Sequence, residues 1–229
     1  MNLKSILSVS ALALVGAANA VTLSVFNFND AGASGTNSAS NTAALFASDR
    51  TATGVSAALS SNFGAANIAN FGGSTVGADG GDPAGQALAL QGGTGNVNNG
   101  GYLQLLLSST TGALRLDTLT FAAQRTSAGF TSQAFSYSLN GTDFTPLSTV
   151  TGIPAAFALQ TVSLAAVPAA STIYIRSVLT GATATDALGN NRIDNLVVAG
   201  TVQSVPEPGA FAALGLGALG LLRRRRAAK

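Results

Sequence analysis

Between Val21 and Thr201 the apolar residues of this chain recur at every second position, and that period constrains the fold more than any other feature. "STIYIRSVL" sets Ile173 and Ile175 against Tyr174 and Arg176, and "GYLQLLLSS" places Leu103, Leu105 and Leu107 on one face. "DTLTFAAQ" opposes Leu119, Phe121 and Ala123 to Thr118, Thr120 and Gln124, and "VTLSVFNF" sets Val21, Leu23 and Val25 against Thr22 and Ser24. A period of two with polar alternates describes antiparallel strands with one buried face. Glu and Lys, the usual residues of helix surfaces, are absent from this stretch, and no helical period interrupts it. Many short strands separated by Gly, Asn, Ser and Thr predict an all-β fold, an antiparallel β-sandwich or jelly roll.

The clearest local element is "FSYSLNGTDFTPL". Asn140-Gly141 between alternating residues predicts a hairpin closed by a type I′ turn, which needs two residues of positive φ. Asn140-Gly141-Thr142 also fits a glycosylation pattern, which the hairpin tip explains better. "NDAGASGTNSASNTAALFASDR" and "GGSTVGADGGDPAG" read as long polar loops, where ligand sites on a rigid sandwich usually lie.

Both ends have a different character. Lys4, the apolar stretch Ile6 to Val15, and Ala18-Asn19-Ala20 form a signal peptide, with signal peptidase cutting between Ala20 and Val21. The C-terminal end runs from Val205-Pro206-Glu207-Pro208 through the uncharged stretch Gly209 to Leu222 to Arg223, Arg224, Arg225 and Arg226. At about 1.5 Å per residue this short apolar helix is roughly 21 Å long, below the ~30 Å hydrocarbon core, and arginine snorkelling extends its reach. The arginine cluster holds that end on the cytoplasmic side. The expected organisation is a signal helix over 1–20, a sandwich domain over 21–203, and a terminal sorting segment over 204–229.

The ends also carry most of the positive charge. From Val21 to Pro206 five arginines stand against eight aspartates, which leaves −3. A body of that sign gains no counterion release on a phosphate backbone, so nucleic acid is excluded as a partner. Cysteine and histidine are both absent, which removes disulfides, thiolate chemistry and the commonest general base. There is no nucleophile elbow, phosphate loop or metal-hydrolase motif. Asp79 and Asp82 are the best pair for acid–base work, but glycine-flanked aspartates ordinarily fix turns. The expectation is a protein that is not an enzyme. Sugar binding would have to use Tyr102, Tyr137 and Tyr174, because there is no tryptophan. "GGTGNVNNGG" begins like a calcium-binding nonapeptide repeat, but Val97 stands where Asp is needed and the unit occurs once.

Val-Pro-Glu-Pro, a short Gly/Ala/Leu helix and a terminal arginine cluster, behind a signal peptide, resemble the PEP-CTERM sorting signal of Gram-negative bacteria that make exopolysaccharide. The resemblance implies recognition by an exosortase, with cleavage near Pro206-Glu207-Pro208. It also implies passage through the inner membrane with the body outside, and delivery to the cell surface or extracellular matrix. "SYSLNGTDFTPL", "RTSAGF" and "GNNRIDN" resemble the secreted β-sandwich often carried by such proteins. The "RIDNLVV" ending is similar to the last strand of carbohydrate-binding jelly-roll modules, in several of which an Asp there and residues near the first strand share a structural calcium. Carried over, this makes Asp194 and Asp30 calcium ligands. The residues alone leave two other roles for Asp194, capping a strand or pairing with Arg192 or Arg176. The leading expectation is a structural or adhesive surface protein associated with exopolysaccharide, and the alternative is a calcium-supported carbohydrate-binding module.

Overall fold

A computed structural model describes residues 19–30, 32–183 and 189–204. Among the described residues twelve strands form two antiparallel sheets. The first holds β1 (Val21–Phe26), β2 (Arg50–Thr51), β4 (Ile68–Gly72), β5 (Gln86–Gln91), β7 (Gly112–Arg125), β10 (Ala158–Ser163) and β12 (Asn190–Ser204). The second runs in the order β3 (Val55–Ser61), β6 (Tyr102–Ser109), β11 (Thr172–Thr180), β8 (Ser132–Ser138) and β9 (Thr145–Thr151). The expected sandwich is therefore observed. Its core lies between the sheets, where Leu103, Leu105, Leu107, Ile173 and Ile175 of the second sheet meet Leu119, Phe121, Ile193 and Val198 of the first.

The first sheet is organised around the long β12. Along one side it pairs with β7 throughout. Along the other it pairs first with β5, at Asn190 to Ile193, and then with β1, at Leu196 to Gly200. Asp194 and Asn195 fall where the partner changes. The ladder with β7 also shifts register there, and Asn195 takes φ 49. A second register shift leaves Asp117 of β7 with no residue opposite it on β12, between Leu116↔Gly200 and Thr118↔Ala199. That extra residue reverses the parity, so Leu114 and Leu116 before it and Leu119 and Phe121 after it all reach the core.

Three features depart from the sequence-based expectation. Strand β1 is buried on both faces, since Leu23, Ser24, Val25 and Phe26 are all inaccessible. It lies inside the sheet between β12 and β2, and the Asp79 loop borders the same cleft as Val25. The first polar loop contains a helix, α1 (Ala39–Phe46), capped by Ser38, whose Oγ accepts the Asn41 N–H at 3.1 Å. Eight residues with only Asn41 and Leu45 buried give too short a period to read. The β8–β9 hairpin exists, but residues 139–144 form a longer tip in place of a type I′ turn, with Gly141 at φ 78 and Asn140 outside the positive region. The Asn140 side chain makes the turn itself: its Oδ1 accepts the N–H groups of Thr142 and Asp143, both at 2.9 Å.

Candidate functional site

The outer face of the second sheet brings aromatic and planar polar side chains together. Alternation on β6 and β11 turns Leu103, Leu105, Ile173 and Ile175 inward, and so turns Tyr102, Gln104, Tyr174 and Arg176 outward. Register then places Arg176 directly across from Gln104 on β6 and Ser136 on β8. The guanidinium lies between two rings, 4.2 Å from the centroid of Tyr102 and 3.7 Å from that of Phe144. Its Nε and Nη2 both donate to Gln104 Oε1, at 3.0 and 2.7 Å. Two aromatic planes and an amide oxygen thus fix the orientation of an arginine that would otherwise be free to swing.

The hairpin tip makes the wall of this site. Phe144 reaches the arginine from the tip, and Gly141 packs on Tyr174 so closely that a Cβ there would stand 3.1 Å from the ring. On the opposite side of the face Ser56, Ala58 and Ser60 of β3 are exposed, and Ser56 and Ser108 share a hydroxyl hydrogen bond of 2.7 Å. Aromatic rings beside hydroxyls, an amide and a fixed cation can meet both the apolar faces and the hydroxyl rims of sugar rings.

Of the three tyrosines singled out in the sequence, Tyr102 and Tyr174 lie on this face, whereas Tyr137 packs against the core. Gln104, Phe144 and the stacking role of Arg176 were missed. The spacing "YIR" already placed Arg176 beside Tyr174 on one strand face, but its aromatic partners come from elsewhere in the chain.

Asp194 serves the fold of the other sheet. It is 1% exposed, and its Oδ2 accepts the Ser74 N–H at 2.6 Å while Oδ1 accepts the Asn195 N–H at 2.8 Å. Neither arginine pairs with it. Arg176 is engaged as above, and Arg192 lies over the Phe71 ring at 4.7 Å, with burial holding its guanidinium below the ordinary arginine range. Burial pushes the Asp194 carboxyl up to about 7 against the pull of its two N–H donors, and the carboxylates of Asp49 and Asp82 raise it further. Asp30 is exposed and shares no hydrogen bond with Asp194, and among the described residues no three Asp, Glu, His or Cys side chains gather to hold a metal. Each Asp194 oxygen accepts one backbone N–H, which accounts for the carboxyl as a support of the strand junction. Asp79 and Asp82 share one partner, Arg50, with Nη2 to carboxylate distances of 3.4 and 2.8 Å. Their joint role is to tie that loop to β2.

Ala20 and Val21 are exposed at the start of β1, while Ala18 lies outside the described residues. Val205, Pro206, Glu207, Pro208 and Arg223 to Arg226 also lie outside them. Among the described residues no helix is long and apolar enough to cross a membrane.

Residues 204–226 match the PEP-CTERM protein-sorting motif. That motif implies export and anchoring in the membrane ahead of exosortase cleavage. No curated protein matches the chain in sequence. Among solved structures, the CBM22-1 xylan-binding domain of Paenibacillus barcinonensis Xyn10C is 10% identical, with a TM-score of 0.43 over 82% of this chain and 100% of that one. The K2 cleaved adhesin domain of Lys-gingipain is 14% identical, with a TM-score of 0.42 over 80% and 98%. TmCBM61 in complex with β-1,4-galactotriose is 11% identical, with a TM-score of 0.38 over 64% and 88%.

Proposed function

We propose that this chain is a non-enzymatic protein of the bacterial surface or extracellular matrix that holds exopolysaccharide on the outer face of its five-stranded sheet. The observation that carries the proposal is the fixed stack Tyr102–Arg176–Phe144, with Gln104 in its plane and Tyr174 beside it. Binding polymer over an open sheet face needs rings and hydrogen-bonding planes that are ordered before the ligand arrives, because ordering them afterwards costs affinity. Signal peptidase and an exosortase process the chain in this reading, removing the signal before Val21 and the arginine cluster after the Pro-Glu-Pro. The body reaches the outside of a Gram-negative cell as a structural or adhesive component.

Retention of the full chain, in mild detergent, on the exporting bacterium's own extracellular polysaccharide tests this. Tyr102→Ala and Tyr174→Ala should each weaken retention while leaving the melting temperature within a few degrees. Unchanged retention in the double variant would move the site off this face. The reading takes calcium to be dispensable. Retention lost on chelation would overturn that part and return Asp194 and Asp30 to consideration. Mass spectrometry of the matrix form should lack Arg223 to Arg226, and their presence would sink the processing step.

A further inference from the structure

We infer that the polymer on this face is anionic, and that a sugar carboxylate seats on the remaining edge of the Arg176 guanidinium. This deepens the proposed function and rests on it. Arg176 is the one charged residue in the five strands of the second sheet. The rings of Tyr102 and Phe144 both lie against its guanidinium, at 4.2 and 3.7 Å, and its Nε–Nη2 edge is taken by Gln104. What remains for a ligand is the edge carrying Nη1 and the second N–H of Nη2. Two parallel N–H groups in a fixed plane match the two oxygens of a carboxylate. A ligand of hydroxyls alone would need the aromatic rings and the amide but no cation.

Among the described residues no carboxylate pairs with this arginine. Among the described residues the ion pairs formed are those of Arg50 with Asp79 and Asp82. Asp49, Asp82 and Asp194 act on one another beside the first sheet, and Asp117 is on β7. Asp143, the acid adjacent to Phe144, takes the Asn140 amide at 2.7 Å. The negative body thus leaves one pre-oriented cation on a neutral face, and the charge needed to complete it comes from outside.

The test uses the full chain with the exporting bacterium's extracellular polysaccharide, before and after chemical reduction of its carboxylates to alcohols. Reduction should weaken binding about tenfold or more, the range of a charge-assisted bidentate contact, and so should Arg176→Gln with the unreduced polymer. Arg176→Gln should weaken binding of the unreduced polymer more than binding of the reduced one, and its melting curve checks that the variant is folded. Equal binding of both polymers, or an Arg176→Gln chain that binds the unreduced polymer normally, would overturn the anionic inference and leave the sheet-face reading standing. Failure to bind either polymer would overturn both.

Discussion

The carboxylate of Asp194 accepts the backbone N–H of Ser74 at 2.6 Å, across 120 positions of chain. Asn195, next to it, donates its amide to the carbonyls of Ser74, at 2.7 Å, and of Val76, at 3.0 Å. These bonds lie where β12 changes partner from β5 to β1, the place in the first sheet where ladder hydrogen bonds are interrupted. The Ser74 segment fills that interruption, and the two adjacent polar side chains satisfy it.

Stability should fall as pH rises from about 4 to about 7. The folded Asp194 carboxyl keeps its proton to about 7, whereas the unfolded one releases it near 3.8, so folding takes up a proton between the two. Its contribution is full below about pH 4 and lost above about pH 7, a change on the order of 4 kcal/mol from the size of the shift. Asp49, raised chiefly by burial, acts in the same direction. Urea midpoints from pH 4 to pH 8 would show the slope, and Asp194→Asn should flatten most of it. A rising or flat profile in the natural chain would contradict the assignment.

Asn195 holds φ 49 as well as two hydrogen bonds, so its substitutions separate strain from bonding. Asn195→Gly keeps the conformation and loses the bonds, at a cost of about 2 kcal/mol. Asn195→Ala also meets the left-handed penalty and should cost about 1 kcal/mol more. Equal midpoints for the two variants in chemical unfolding would show that the backbone relaxes there.

How much of this was legible in sequence depends on the range over which each feature is encoded. The period-two pattern names a face for each strand without reference to neighbours, so Leu103 to Leu107 and Ile173 to Ile175 were read correctly. The extra Asp117 changes parity only because Gly200 lies opposite Leu116, a fact about register. Asn140-Gly141 has the residues of a tight turn, yet Ser138, Asn140 and Asp143 offer side-chain hydrogen bonds that close a longer tip. The outer face of the second sheet shows the same limit: Arg176 and Tyr174 are two apart, but Tyr102 and Gln104 reach the arginine through strand order and Phe144 through the hairpin tip.

One polar defect of the core lies between the two sheets. Gln133 is inaccessible to solvent, and neither atom of its amide has a partner; Ser177 Oγ is likewise unpartnered. Both line a cavity of about 20 Å³ among Leu59, Leu105, Phe121 and Ile175. That is room for one water, which two such groups would hold. Gln133→Met should be neutral or stabilising by about 1 kcal/mol, because it removes a buried group that an apolar side chain of similar size replaces. A loss of more than about 2 kcal/mol would mean that the amide is fully bonded through water.

Arginine at position 176 should resist replacement by lysine. Its contribution to the face is a plane as much as a charge: two rings lie against it, and one amide oxygen takes two of its N–H groups. A lysine keeps the charge but offers a compact ammonium that cannot fill the gap between Tyr102 and Phe144 or chelate Gln104. Arg176→Lys is therefore expected to lose about 1 kcal/mol or more of stability, close to the loss in Arg176→Met. Phe144→Ala, made on top of either, should add little, since its ring would already have lost its partner. A double-mutant cycle between positions 176 and 144 measures this directly. A coupling near zero would mean that the stack is only a juxtaposition of side chains, whereas a coupling of about 1 kcal/mol would show a site assembled before any ligand arrives.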